Sequence, residues 1–230
     1  MTTGNGPAGH AVVTGVSSGI GAAIAARLLR EGWRVTGLSR SDPGLADPRF
    51  AHRAVDLMDA VALVRAVEGL RPNALVHAAG LMRGGTLGAL DAEAGRTLWR
   101  LHVEAASLLA DRLAPGMPDG GRIVLVGSRT AVGAAGRSQY AASKAALVAM
   151  ARSWAIELAP RGITVNVVAP AATDTPMLRD PGRSGVQPKL PPIGRLIRPD
   201  EVAALTAFLL GPEAGAITGQ HLVICGGSSL

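Results

Sequence analysis

Cysteine is almost missing from this 230-residue chain. Cys225 is the single example, so no intrachain disulfide can form and a reducing cytoplasm is the default compartment. Its place in the apolar run His221–Cys225 favours an inert buried thiol. Aromatic residues make up only 3% of the chain, which leaves few rings to stack on nucleobases. The net charge of +6 comes mostly from arginine, but the arginines are scattered and no basic run of five or six occurs. Together these exclude a nucleic-acid surface. No uninterrupted apolar run approaches the ~20 residues that span a bilayer, so no membrane partner is expected. The opening MTTGNGPAGH lacks a charged region followed by an apolar one. It reads as a short flexible tail over residues 1–9 rather than a secretory signal.

Hydrophobic residues, by contrast, reach 48%, enough for a large core. Short apolar runs rich in valine and isoleucine recur at Ala11–Thr14, Arg34–Ser39, Ala51–Val55, Ala74–His77, Arg122–Gly127, Ile163–Val168 and His221–Cys225. Their continuity and their Gly, Pro or polar flanks predict strands buried on both faces. Helical patterns alternate with them at Ile20–Arg30, Asp59–Leu70, Asp91–Leu113, Ser138–Ala159 and Pro199–Leu210. Alternating strand and helix implies an α/β fold with a doubly wound parallel sheet and right-handed crossovers. With no repeat and no linker, residues 10–230 form one domain. Pro176–Pro192 carries five prolines and no periodicity, and reads as a lid loop.

Tyrosine occurs once, at Tyr140, and lysine twice, at Lys144 and Lys189. Four-residue spacing on a helix puts Tyr140 and Lys144 on one face. A phenol has a pKa of about 10, too high for a useful base in water. An ammonium about 4 Å away is worth roughly 4 kcal/mol at a protein site's effective dielectric, enough to bring the phenol to about 7. Such a group exchanges a proton with an alcohol or carbonyl. Ser128, twelve residues upstream and just past the run Ile123–Val126, can hydrogen-bond the same substrate oxygen.

Between the first strand and the first helix lies Thr14-Gly15-Val16-Ser17-Ser18-Gly19-Ile20-Gly21. Glycines there let a backbone approach a pyrophosphate, and the helix start offers free N–H groups.

Gly15-x-x-x-Gly19-x-Gly21, then Ala78-Ala79-Gly80 after a strand, then Ser128 with Tyr140-x-x-x-Lys144, resembles the short-chain dehydrogenase/reductase family, classical type. Asp56-Leu57 is similar to its adenine-contacting segment, and Val165 through Pro170 to the segment running into the nicotinamide site. Pro192 through Ala203, Thr218-Gly219-Gln220 and Gly226-Gly227 are similar to its C-terminal pattern. The resemblance covers about residues 9 to 230. It implies a Rossmann-like sheet of about seven strands, a nicotinamide dinucleotide and hydride transfer between an alcohol and a carbonyl. Carried over by position, Tyr140 is the acid/base, Lys144 lowers its pKa and holds the ribose, and Ser128 orients the substrate oxygen. The same resemblance implies dinucleotide contacts from Gly15, Ser17, Ser18, Gly19, Ile20 and Gly21. It implies others from Ala78, Ala79, Gly80, Pro170, Ala171, Thr173 and Thr175.

The chain departs from the family pattern in places. His102 stands where the family has its fourth catalytic residue, an asparagine that helps hold a water; a histidine there can also bind a water and titrate near neutrality, with a helix-packing histidine as the alternative. His77 and Ala78 replace Asn-Asn, Ala171 replaces glycine, and Cys225 replaces a common Asp. The Ser128-to-Tyr140 spacing is one residue shorter than the commonest.

At the end of the second strand Ser39 takes the place of the acid that binds an NAD ribose, and Arg40 follows. An acid repels a 2′-phosphate, whereas a guanidinium pairs with it, so NADP(H) is favoured, with NAD(H) as the alternative. Arg179, Arg183 and Lys189 in the lid can attract an anionic substrate or an acidic carrier protein. A secondary alcohol or ketone is the expected substrate, with a 3-oxoacyl thioester as the subclass alternative. A non-catalytic dinucleotide sensor is the competing class; retention of Ser128, Tyr140 and Lys144 argues against it. The long helices Asp91–Leu113 and Ser138–Ala159 predict a homo-oligomer, a tetramer or dimer.

Overall fold

The computed structural model describes residues 9–180, 183 and 189–230. Most of the expected tail, and Pro181 and Pro188 of the expected lid, lie outside the described residues. Seven strands form one parallel sheet in the order β3-β2-β1-β4-β5-β6-β7. They are β1 His10–Thr14, β2 Arg34–Ser39, β3 Phe50–Ala54, β4 Ala74–His77, β5 Arg122–Val126, β6 Thr164–Pro170 and β7 His221–Ile224. The helices are α1 Gly19–Arg30, α2 Ala60–Val67, α3 Ala92–Trp99, α4 Ala105–Leu113, α5 Ser138–Leu158 and α6 Pro199–Leu210.

Strand alternation divides the core between the two faces. On one face Val12, Leu75, Ile123 and Val165 pack against Leu63 of α2, Leu109 of α4 and Leu147 of α5. On the other, Ala11, Val13, Val76 and Val124 pack against Ile24 and Leu28 of α1 and Val202 and Leu209 of α6. The expectation of strands buried on both faces fails at the sheet edges. β3 begins one residue earlier than its apolar pattern, and its residues are half-buried or exposed. Cys225 lies just past β7 and is half-buried rather than buried. Burial pushes its thiol up, but hydrogen bonds from Ser229 and the N–H groups of Gly227 and Ser228 bring it below the usual value.

Caps define several helix starts. The Asp59 carboxylate accepts from the amides of Val61 and Ala62, both at 3.0 Å, and Asp91 does the same for Glu93 and Ala94 at 2.8 and 3.2 Å. In α6, Pro199 opens the first turn and Glu201 accepts from the Arg198 amide at 2.8 Å.

The expected single helix Asp91–Leu113 is interrupted. Residues Arg100–Glu104 form a π-helical turn between α3 and α4. The Ala105 amide bonds to the Arg100 carbonyl, skipping Leu101. Leu101 is thus left with a carbonyl to offer elsewhere, and the extra residue turns His102 and Val103 together into the interior. No helix among the described residues is long and apolar enough to cross a membrane.

Candidate active site

The strand order reverses beside β1, which pairs with β2 on one side and β4 on the other. In open parallel sheets a crevice forms there, beyond the carboxyl ends of the strands. A cleft of about 680 Å³ lies at that place. Every candidate site residue from the sequence lines it, from Gly15 to Gly21, through Ser39, Arg40, Asp56 and Leu57, to Ser128, Tyr140, Lys144 and Thr175. His102 and Ala171 line it as well. Of the lid cations, Arg183 and Lys189 line the cleft; among the described residues Arg179 does not.

The glycine turn is shaped for close approach. Gly15 has a φ of 72°, and a Cβ on it would stand 2.8 Å from the Cα of Ala79. A Cβ on Gly21 would collide with the Gly15 carbonyl. Helix α1 starts without a side-chain cap and without an acid in its first turn, so its N–H groups and positive end face the cleft unneutralised. This cradle fits a dinucleotide pyrophosphate.

Tyr140 and Lys144 share one face of α5 and are both buried. Lys144 Nζ donates to the Val126 carbonyl at 2.9 Å and lies 6.0 Å from the Tyr140 ring centre. Burial lowers the ammonium to about 7. Burial likewise pushes the phenol up. A hydrogen bond with Ser128, then the charges of Arg183 and Arg137, oppose that rise without reversing it. The expected depression of the phenol by a lysine about 4 Å away is therefore corrected. The two groups share a water-poor site that penalises both charges. Ser128 Oγ is held by Thr130, through the amide at 3.2 Å and the hydroxyl at 2.9 Å.

The two histidines that depart from the family pattern are hydrogen-bonded in one tautomer each. The Leu81 amide donates to His102 Nε2 at 3.1 Å, so the ring proton sits on Nδ1 and is donated to Ser143 Oγ at 2.9 Å. Ser143 in turn donates to the Tyr140 carbonyl at 2.8 Å. His77 Nε2–H donates to the Leu101 carbonyl at 3.2 Å, the group released by the π turn. His77 Nδ1 then accepts from the Thr14 hydroxyl at 3.1 Å, whose oxygen accepts from the Ala78 and Ala79 amides. Burial, then the nearby Lys144, lowers His77 to about 3 and His102 well below its ordinary value. The expectation that His102 titrates near neutrality is thus overturned. It is a neutral strut between the Gly80–Leu81 turn and α5.

Sequence reasoning missed Arg137, one residue ahead of α5, and Arg129, directly after Ser128; both line the cleft. The apolar wall of Leu81, Met82 and Met177 packed beside Tyr140 was also missed. The signal for Arg137 was its distance of three residues from Tyr140, a same-side spacing.

A family model described as Enoyl-(Acyl carrier protein) reductase matches residues 15–229. The 3-oxoacyl-(acyl-carrier-protein) reductase FabG of Salmonella typhimurium is 35% identical over 94% of this chain and 96% of its own. A solved short-chain dehydrogenase/reductase from Serratia marcescens superposes with a TM-score of 0.86 at 33% identity, covering 96% of this chain and 98% of that one. A blue fluorescent protein from a metagenomic library, solved in complex with NADPH, gives a TM-score of 0.86 at 31% identity over 96% and 98% of the two chains. This chain belongs to the short-chain dehydrogenase/reductase family, oxidoreductases that act on alcohol and carbonyl groups with NAD(P).

Proposed function

We propose that this protein is an NADP(H)-dependent oxidoreductase that interconverts a secondary alcohol and a ketone, with Ser128, Tyr140 and Lys144 as its catalytic residues. The observation that carries the reading is the convergence of buried Tyr140, Ser128 and Lys144 at one end of the cleft whose other end is the glycine cradle. A dinucleotide held with its pyrophosphate on the cradle would supply or accept the hydride at the Tyr140 end of the cleft. The chain's own residues do the rest. Tyr140 Oη and Ser128 Oγ donate hydrogen bonds to the substrate oxygen, and these strengthen as negative charge gathers there during reduction. Tyr140 then gives its proton to that oxygen, and takes it back in the oxidation direction. Lys144, positive, favours the transient phenolate. Its low pKa makes this the site's sensitive charge.

Arg40, exposed on the cleft beside Ser39, supports NADP(H), because no acid stands at that strand end to repel a 2′-phosphate. The NADPH in the metagenomic relative's structure supports the same choice. A 3-oxoacyl thioester reductase is the second reading, favoured by the FabG relative. A cytoplasmic homo-oligomer is the expected setting; exposed Trp99, Ile156 and Val223 offer apolar surface for it. The test is NADPH oxidation against simple ketones, oxo acids and an acetoacetyl thioester, with NADH in parallel. Saturable turnover with NADPH supports the reading; NADPH binding without turnover of any carbonyl would favour the sensor.

A further inference from the structure

Arg129, Arg137, Arg183 and Lys189 line the cleft together with Lys144, and the charges of Arg183 and Arg137 reach Tyr140. Asp56 is the one acid among the described lining residues, and it belongs to the opposite end, after β3. Nearby Asp180 is engaged by Arg83 at 2.9 Å. Like charges gathered in a concave site repel one another, and a carboxylate or another anion among them relieves that repulsion. Here the Nε atoms of Arg137 and Arg183 are buried with no hydrogen-bond partner among the described residues.

The backbone at Arg137 is fixed. Its amide donates to the Ala134 carbonyl at 3.1 Å, its carbonyl accepts from Ala141 at 2.7 Å, and the preceding Gly136 carbonyl accepts from Gly85 at 2.9 Å. It sits at the N-cap of α5, a helix without an acid in its first turn. Cations are disfavoured at that end of a helix and anions are favoured. The sequence thus breaks a local rule at the site's edge with no compensating acid lining it among the described residues, as is expected at a functional position. Beside it, Leu81, Met82 and Met177 form an apolar wall against Tyr140.

We infer that Arg137, together with Arg183, binds a carboxylate on the substrate itself, so that the substrate is a hydroxy or oxo carboxylate with an apolar body. A planar guanidinium pairs with a carboxylate through two parallel N–H···O bonds. The apolar wall takes the carbon skeleton, leaving the reacting carbon at Tyr140 and Ser128. Arg137 is then the specificity-determining residue of the site, and the inference rests on the oxidoreductase reading above.

The test uses 4-oxocyclohexanecarboxylate and its methyl ester, which share a ring carbonyl and differ in charge. NADPH oxidation is measured with wild type, Arg137→Gln and Arg137→Lys, and the affinity of both compounds for the NADP⁺-saturated protein by calorimetry. Wild type is expected to favour the acid over the ester by about tenfold or more in kcat/KM and in Kd. Arg137→Gln loses most of that preference through KM, and Arg137→Lys regains part of it. NADPH affinity within about twofold of wild type shows that the variants are folded. Equal treatment of acid and ester by wild type overturns the inference, as does an Arg137→Gln variant weakened alike for both. A phosphonate analogue that binds more tightly than the acid overturns the carboxylate class in favour of phosphate esters. No turnover of any ketone, with Arg137-dependent binding of the acid intact, would fault the oxidoreductase reading while supporting the anion site.

Discussion

His102 Nδ1 lies 2.9 Å from Ser143 Oγ, and through that hydroxyl the ring is tied to the Tyr140 backbone. The π turn brings His102 inward, the Leu81 amide fixes its tautomer, and Ser143 passes the constraint to the helix that carries the phenol. Kept neutral by burial, a histidine at this place is expected to position Tyr140 rather than exchange protons.

His102→Ala is expected to strand the Leu81 amide and the Ser143 hydroxyl in a dry site. Each unmet group costs about 1–3 kcal/mol, to which the lost packing adds. Thermal unfolding should shift down, and kcat should fall as Tyr140 loses its hold. His102→Asn is expected to keep the shape of the pH–rate profile; a profile that loses an inflection on this change would show that His102 titrates during turnover.

Stability should fall on mild acidification. His77 has a folded pKa of about 3, below the ordinary 6.5. Between those values the unfolded chain binds the proton and the folded chain does not, so stability rises with pH through that window and is lost as pH falls through it. At pH 5, about 1.5 units below 6.5, His77 alone withdraws roughly 2 kcal/mol. In a chain of this size that is a drop in Tm of about 4–8 °C between pH 7 and pH 5. His77→Asn should flatten the slope. An unchanged wild-type Tm over that range would contradict the neutral buried pair.

Lys144, held near 7 by burial, is expected to gain a proton when an anionic dinucleotide enters the cleft. Calorimetric titration at pH 7.5 in buffers of different ionisation enthalpy reads that uptake directly. Proton uptake should vanish in Lys144→Met. Buffer-independent heats in wild type would mean that Lys144 is already charged.

Arg40→Ala should weaken NADPH binding by about tenfold or more while changing NADH little, since only the 2′-phosphate loses a partner. Equal effects on both dinucleotides would return Arg40 to the role of a solvated loop residue.

The sheet was legible because buried parallel strands such as Ala74–His77 and Arg122–Val126 are continuous apolar runs, and each is followed by a turn of distinctive residues. The Tyr140–Lys144 pair was legible from its four-residue spacing taken together with Ser128 and the glycine turn, since the spacing alone is equally compatible with a solvated helix face. The π turn was not: Asp91–Leu113 has ordinary helical composition, and the partner of the Leu101 carbonyl, His77, lies 24 residues away in sequence. The phenol's environment was not legible either, because spacing sees Lys144 but not the burial that opposes both charges. Arg129 was hidden among evenly scattered arginines, and Arg137, though only three residues from Tyr140, carried nothing in its spacing to show that both would line the cleft.

NADPH oxidation by Tyr140→Phe, set beside wild type on the best carbonyl from the panel, probes the proposed chemistry most directly. Loss of the proton-transferring hydroxyl is expected to lower kcat by about 10²–10⁴-fold while NADPH affinity stays close to wild type. Turnover within about threefold of wild type would contradict the assignment of Tyr140 as the acid/base.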